Sequence, residues 1–172
     1  MAIKLNEWKS RLQDTLPSHS FMVNISPPVG GTEDLQLRTE AINLPGVGYA
    51  AVDNFSPYGN GKMYNIPYKY MPQEISMSHF LDEKADLYAI YRAWSNEIVD
   101  LDGTSKYGAK YLSGYSVDMN VFVYNRKGEL AKEIKFIEAF PIVVEPISLN
   151  WAQTDDIAKL NVSYRFTRFE VK

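Results

Sequence analysis

Apolar and polar positions alternate along much of this chain, with a period of two in some stretches and of three to four in others. Leu5, Trp8, Leu12 and Leu16 recur at spacings of three and four, which places them on one face of a short helix over residues 5–16. Asn6 is positioned to cap it, and Pro17 marks its end. Residues 20–26 alternate Phe21, Val23 and Ile25 against Met22 and Asn24, as a half-buried strand does. After a turn cluster at Pro27, Pro28, Gly30 and Gly31, a second strand is expected with Leu35, Leu37, Thr39 and Ala41 on one side. It is placed to pair with the first as a hairpin.

Residues 44–71 are the least regular, with Pro45, Gly46, Gly48, Pro57, Gly59, Gly61 and Pro67 set among many tyrosines and Phe55. Large aromatic side chains are costly to leave in water, so this stretch reads as an extended hairpin arm buried against its own core or another subunit. A loop of this length is usually functional. The clearest helix spans residues 82–99, where Leu87, Tyr91, Trp94 and Ile98 form one apolar stripe and Glu83, Lys84, Arg92 and Glu97 decorate other faces. Beyond a polar connection over 100–114, Tyr115, Val117, Met119, Val121 and Val123 predict a long strand. The turn from Asn125 to Gly128 returns the chain into a partner strand over 130–140. Leu160, Val162, Tyr164 and Phe166 alternate with Asn161, Ser163, Arg165 and Thr167 in a final strand.

Strands with one apolar and one mainly polar side belong to a sheet with one buried and one water-facing surface. Their free edges need management, and closing strands from several copies into one barrel is a way to remove them. The expected fold class is mainly β, an antiparallel β-sandwich or partial barrel with one packed helix and a long hairpin arm. With 172 residues and a 45% apolar fraction, a single domain over 1–172 is the expectation.

Charge narrows the function. Eighteen basic and twenty-one acidic side chains are mixed along the chain, giving a formal charge of −3 and no basic cluster of the kind that wraps nucleic acid. Cysteine is absent, which removes disulfides, thiolate metal sites and cysteine nucleophiles together. The first sixteen residues lack the apolar core of a signal peptide and no run is long enough to cross a bilayer, so the expectation is a soluble protein kept inside the cell that makes it.

Catalytic and ligand motifs fail on inspection. The segment from Ser56 to Met63 superficially follows a phosphate-binding loop, but Ser56 stands where the first Gly belongs and Met63 where Ser or Thr is required. Asp100, Asp102 and Gly103, aligned as a calcium loop, put Ile98 at the first ligand position and Ala109 at that of the bidentate Glu. His19 and His79 have no metal-ligand spacing and read as solvated or hydrogen-bonded strand-end residues. Asp155 and Asp156 lie side by side in a turn, and adjacency does not supply the spatial convergence that a catalytic carboxylate pair requires. Asn24, Asn54 and Asn161 match the glycosylation pattern, which means little without a secretory signal. No catalytic, cofactor or metal residues are assigned.

The segment Ala139-Phe140-Pro141-Ile142-Val143-Val144-Glu145-Pro146-Ile147-Ser148-Leu149-Asn150-Trp151, followed by Asp155-Asp156-Ile157 and a strand ending Tyr164-Arg165-Phe166, resembles the tail tube proteins of contractile-tailed bacteriophages. Those proteins show a similar aromatic-Pro turn, a Leu-Asx-Trp motif, an acidic turn and a closing strand. Upstream, Phe21-Met22-Val23, then Ala41-Ile42-Asn43-Leu44-Pro45-Gly46, a long arm and a central helix carrying Trp94 follow the same order. The resemblance covers nearly the whole chain and rests on the order of motifs that are individually weak.

It implies a virion structural protein that forms hexameric rings with a shared inner β-barrel, stacked into the hollow inner tail tube through which DNA reaches the host. The arm would contact the adjacent ring, making Leu44, Pro45, Tyr49, Phe55, Tyr58 and Tyr64 inter-ring candidates, and Trp8 and Leu12 would cover a neighbouring subunit. Asp118 and Asn120, or Asn161 and Ser163, are the polar faces from which a wet bore could be built. Implied partners are further copies of the chain, a tail sheath outside, baseplate or initiator and terminator proteins at the ends, and a tape measure protein and DNA in the lumen. Such a protein works in the virion tail after assembly in the host cytoplasm. Rival readings are a type VI secretion or tail-like bacteriocin tube, a tube-initiating baseplate protein and, in a different class, a monomeric β-barrel with aromatic residues lining a small-ligand pocket.

Overall fold

The computed structural model describes residues 16–30, 36, 38–55, 63–100, 103, 110–150 and 157–172; the helix expected over 5–16, the tip of the arm and the Asp155-Asp156 turn lie outside them. In chain order the elements are β1 (Phe21–Ile25), β2 (Thr39–Asn43), β3 (Val47–Phe55), β4 (Met63–Pro72), β5 (Ile75–Phe80), α1 (Asp86–Ile98), α2 (Leu112–Tyr115), β6 (Val117–Tyr124), β7 (Leu130–Val144), β8 (Lys159–Arg165) and β9 (Arg168–Val171). All strand pairs are antiparallel. Seven strands form one sheet in the order β1-β6-β7-β8-β5-β2 with β9 also on β7, and β3 and β4 form a separate ribbon.

The long strand β7 divides the sheet into two parts. Its first portion pairs β6 as far as Ala139 on one side and β9 over Ile134–Ile137 on the other, whereas Phe140–Val144 pairs β8. The bend falls at Glu138, whose φ of 56° is a left-handed conformation that a bulge accommodates. Thr167, between β8 and β9, fixes the same corner: its hydroxyl donates to the Glu138 carboxylate at 2.6 Å and its N–H to the Ile137 carbonyl at 3.0 Å. We call β1-β6-β7-β9 the first sheet and β7-β8-β5-β2 the second.

Period-two alternation decides what each strand buries. Val23 and Ile25, Met119 and Val121, Phe136, Ile75 and Met77, and Leu160, Val162 and Tyr164 all point inward and are almost fully buried. Phe136, Phe166 and Phe169 pack with centroids 5.1–5.9 Å apart in the first sheet. Leu87, Tyr91 and Trp94 of α1 cover the second sheet, and Ile98 is partly buried, as the helical stripe predicts. The Trp94 ring stacks on Tyr91 and tilts against Tyr164, while its N–H donates to the Tyr115 carbonyl at 2.8 Å. Burying each such aromatic adds about 1.5–3 kcal/mol.

The β6–β7 hairpin forms, with β6 beginning at Val117 and not at Tyr115, which ends α2. Asn125 Oδ1 accepts the N–H groups of Lys127 and Glu129, and Gly128 takes the left-handed conformation with φ 79°. The arm over 44–71 is likewise a hairpin, β3–β4. Three expectations about pairing, facing and the central helix need correction. The chain around Thr39 does not pair with β1: β1 pairs β6 and β2 pairs β5, because those neighbours bring apolar faces together across one core. A register shift also places Thr39 opposite His79 and Ala41 opposite Ser78, so these two residues do not share a side. The central helix starts at Asp86 and not at Asp82, after Ala85 with its left-handed φ of 55°. The short helix α2 and strand β9 were not anticipated.

Candidate assembly surfaces

Among the described residues three surfaces carry the argument about assembly. The first is the β3–β4 ribbon. A two-stranded ribbon is marginal in water by itself, yet this one carries a dense set of uncovered apolar side chains: Val47, Tyr49, Val52, Ile66, Tyr68, Tyr70 and Met71, with Tyr49 and Tyr68 61% and 66% exposed. Tyr49 and Tyr70 face each other across the strands, edge to face at 6.2 Å. Together with Pro67, Tyr68 and Lys69 they line an open depression of about 300 Å³. Where the ribbon joins the rest of the chain, the Gly46 N–H donates to Gln73 Oε1 at 2.8 Å, an approach so close that a Cβ on Gly46 would push that oxygen aside.

The second surface is the side of the second sheet turned away from α1. Adjacent strands align Ser163, Ser76 and Asn43 in one row and Asn161, Ser78 and Ala41 in the next. Asn43 donates to the Ser76 hydroxyl at 2.9 Å and Asn161 to Glu145 at 2.8 Å. Short uncharged polar side chains therefore pave its middle. Lys159 and Arg165 stand at the sides, paired with Glu40 and Glu74.

The third surface is the outer side of the first sheet, where Asn24, Asn120, Lys135 and Glu170 lie in one row across four strands. It is partly occupied: the Gln36 amide donates to Asn24 at 2.8 Å, and Asn120 is half-buried. Lys135 reaches Asp118 at 2.8 Å. That hydrogen bond, opposed by partial desolvation, holds the Asp118 carboxyl below its usual range and raises the Lys135 ammonium.

Residues 11–172 match the sequence model of a family described as phage tail tube protein. The chain belongs to that family. No curated protein matches it. Among solved structures, a chain of the anti-feeding prophage baseplate, 6-fold symmetrised, aligns with a TM-score of 0.69 at 9% identity over 92% of this chain and 95% of that one. A chain of the sheath–tube complex of the extracellular contractile injection system PVC, in its extended state, gives 0.64 at 16% identity over 99% of both. One from the tube-terminating cap of the anti-feeding prophage gives 0.64 at 15% over 100% and 94%. At such identities the likeness shows the fold, and family membership supplies the role: this is a structural tail tube protein.

The residues singled out in the sequence fall on all three surfaces of this tail tube protein. Tyr49 is on the ribbon, with Leu44 exposed and Pro45 half-buried just before it. Phe55 and Tyr64 hold strand positions at the ribbon's far end, while Tyr58, Trp8 and Leu12 lie outside the described residues. Asn161 and Ser163 belong to the open second sheet, and Asp118 and Asn120 to the partly occupied first sheet; the structure does not bring the two pairs together. Sequence reasoning missed Tyr68, Tyr70 and Ile66 as ribbon surface, and Ser76 and Ser78 as partners of Asn161 and Ser163. The alternation Ile75-Ser76-Met77-Ser78-His79 carried the latter signal.

His79 is fully buried. Its Nε2 lies 2.9 Å from the Tyr91 hydroxyl, which in turn hydrogen-bonds the Tyr164 hydroxyl, and its Nδ1 lies 3.2 Å from Thr39 Oγ1. Burial lowers the imidazole pKa to about 4 and raises both phenols. The cluster ties β2, β5, β8 and α1 together inside the core. Among the described residues no three His, Asp or Glu side chains form a metal-binding group, and no helix is long and apolar enough to cross a membrane.

Proposed function

We propose that this tail tube protein forms rings of six copies that stack into the hollow inner tube of a contractile tail, with the second sheet lining the bore and the ribbon contacting the adjacent ring. The observation that carries this reading is the second sheet itself. One side is sealed by α1, the other is open, short and polar, and among the described residues both edge strands are unpaired on their outer side. Its strands alternate in direction, so β7 of one copy runs antiparallel to β2 of the next in a head-to-tail ring. An even number of strands per copy lets the alternation continue around a closed barrel without a break. Sixfold symmetry is supported by the 6-fold symmetrised baseplate whose chain shares this fold.

The subunit acts by assembly and performs no catalysis. Its wall guides DNA, and before it a tape measure protein, while a sheath surrounds the tube and baseplate and terminator proteins hold its ends. The assemblies in which the similar chains occur, a sheath–tube complex, a tube-terminating cap and a baseplate, fit those partners. Assembly takes place in the host cytoplasm, and the product resides in the virion tail. A second reading, a tail-like injection particle without a genome, is favoured by the injection-system contexts of the same chains, and the DNA content of purified particles separates the two.

Negative-stain electron microscopy with size-exclusion chromatography across a concentration series tests the proposal. Rings or hollow tubes are expected. A monomer at every concentration, with a tube-initiating baseplate protein present, would overturn it and favour the ligand-binding rival. Against that rival, the large core aromatics Tyr91, Trp94 and Tyr164 pack on one another.

A further inference from the structure

Tyr164 is fully buried, and among the described residues its hydroxyl has one hydrogen-bond partner, the hydroxyl of Tyr91. A buried O–H needs an acceptor, so Tyr164 donates to Tyr91. The Tyr91 proton is then left for its other partner, His79 Nε2, at 2.9 Å. That nitrogen is therefore bare, which puts the single ring proton of a neutral imidazole on Nδ1, 3.2 Å from Thr39 Oγ1. The hydrogen bonds thus run in one direction, from Tyr164 in β8 through Tyr91 in α1 and His79 in β5 to Thr39 in β2.

A proton taken from water can enter this chain at Nε2. Tyr91 then has to turn its own proton to Tyr164, whose O–H is left without an acceptor. The titratable groups facing the ring are the two neutral phenols, Tyr91 from α1 and Tyr164 from β8, and β2 contributes the Thr39 hydroxyl. The charged neighbours along these strands are paired with one another, Arg38 with Asp82 and Glu40 with Lys159. A buried imidazolium in such surroundings needs water. The shortest way to water is past β2, since His79 pairs Leu160 on one flank and Thr39 of the edge strand on the other. That strand is also lightly held: none of its five residues is buried, whereas β5 and β8 each bury three. Elements with little buried surface open first.

We propose that His79 is an acid-operated latch on β2: a proton taken up by its imidazole frees this edge strand from β5 and so opens the contact that the strand makes between copies in a ring. The latch stands on the hydrogen-bond chain and the sheet order, and its effect on assembly rests on the reading of β2 as a ring edge.

Amide hydrogen exchange of dilute subunits, corrected for the intrinsic pH dependence of exchange, tests the latch. With an imidazole pKa of 6.5 when β2 is open and about 4 when it is closed, the open population should rise about 20-fold between pH 7 and pH 5. Protection of the β2 amides should fall by that factor while the amides of β8 stay protected. In His79→Gln, whose amide can donate to Thr39 and accept from Tyr91 without titrating, β2 protection should not change with pH. Constant β2 protection in the wild type, or an equal fall in β2 and β8, overturns the latch; so does the same fall in the variant. Should the variant not fold, the comparison of β2 with β8 in the wild type decides alone. Nitrogen NMR of histidine-labelled protein at pH 7 checks the chain separately: a proton found on Nε2 of His79 in place of Nδ1 overturns its direction.

The consequence for assembly is read by sedimentation and electron microscopy of tubes moved from pH 7 to pH 5 and back. Wild-type tubes should shed subunits and reassemble, and His79→Gln tubes should persist. Wild-type tubes that persist although β2 opens in their subunits would end the reading of β2 as a ring edge. Constant β2 protection ends the latch and leaves that reading standing.

Discussion

Desolvation governs the chemistry of His79. In the unfolded chain its imidazole titrates near its ordinary value of 6.5, and burial lowers this to about 4 in the fold. Above pH 6.5 the ring is neutral in both states and contributes no pH dependence. As pH falls through 6.5 the unfolded chain binds a proton that the folded chain refuses, so stability drains away until pH 4, by about 3 kcal/mol in all. Thermal midpoints should therefore fall between pH 7 and pH 4, and His79→Gln, which can still bond Thr39 and Tyr91, should flatten part of that fall. An equally steep fall in the variant would contradict this account. Trp94→Phe, which leaves the Tyr115 carbonyl without its donor, should lower stability by about 1–3 kcal/mol in a denaturant titration at any pH. The sequence allowed a hydrogen-bonded strand-end role for His79. It could not reveal the cluster, because Tyr91 and Tyr164 are 12 and 85 residues further along, and no local spacing encodes a contact made through packing.

Among the elements, legibility followed the range of the contacts. The β6–β7 hairpin and α1 are written in local alternation and turn chemistry, and both are legible there except at their starts: α1 waits for the left-handed Ala85, and β6 begins at Val117 because Tyr115 closes α2. The β1–β2 pairing was misread because alternation gives the face of a strand and not its neighbour: β2 pairs with β5, beyond the whole ribbon. Strand β9 was hidden because Phe166 and Phe169 continue the apolar signal through a corner that only Glu138 and Thr167 define. The ribbon was visible as an excess of aromatics with nothing nearby to cover them. Replacing Tyr49 and Tyr68 with Ser should leave the thermal midpoint of the isolated subunit nearly unchanged, since surface substitutions commonly cost within about 0.5 kcal/mol. Stacking of rings should fail, which chromatography and electron microscopy would report as single rings or free subunits. Wild-type tubes from the variant would remove the ribbon from the interface. By contrast, Gly128→Ala at φ 79° should cost about 1 kcal/mol in chemical denaturation and leave assembly intact.

For the whole molecule the deciding feature is a sheet that is finished on one side and unfinished along its edges. Exposed backbone donors and acceptors on an edge strand invite pairing, and natural proteins cover, charge or shorten such edges unless they are meant to be used. In the second sheet the outer edges are β2 and the Phe140–Val144 portion of β7, which among the described residues pairs only β8. Because β2 and that portion of β7 run in opposite directions, a rotation about a ring axis places them side by side as an ordinary antiparallel pair. A mirrored, two-fold arrangement would instead join β2 to β2 or β7 to β7 and stop at a dimer. The absence of native cysteine makes the distinction measurable. Single cysteines scanned over Glu40–Asn43 in combination with single cysteines over Ile142–Val144 should include at least one pair that, on oxidation of assembled rings, yields a ladder of cross-linked species in a denaturing gel. The same cysteines taken alone should give no ladder, since head-to-tail contact brings each edge to its opposite and not to its twin. Dimers from one edge alone, with no ladder from any combination, would mean that the copies meet by two-fold symmetry, and a continuous barrel built from the second sheet could not then form.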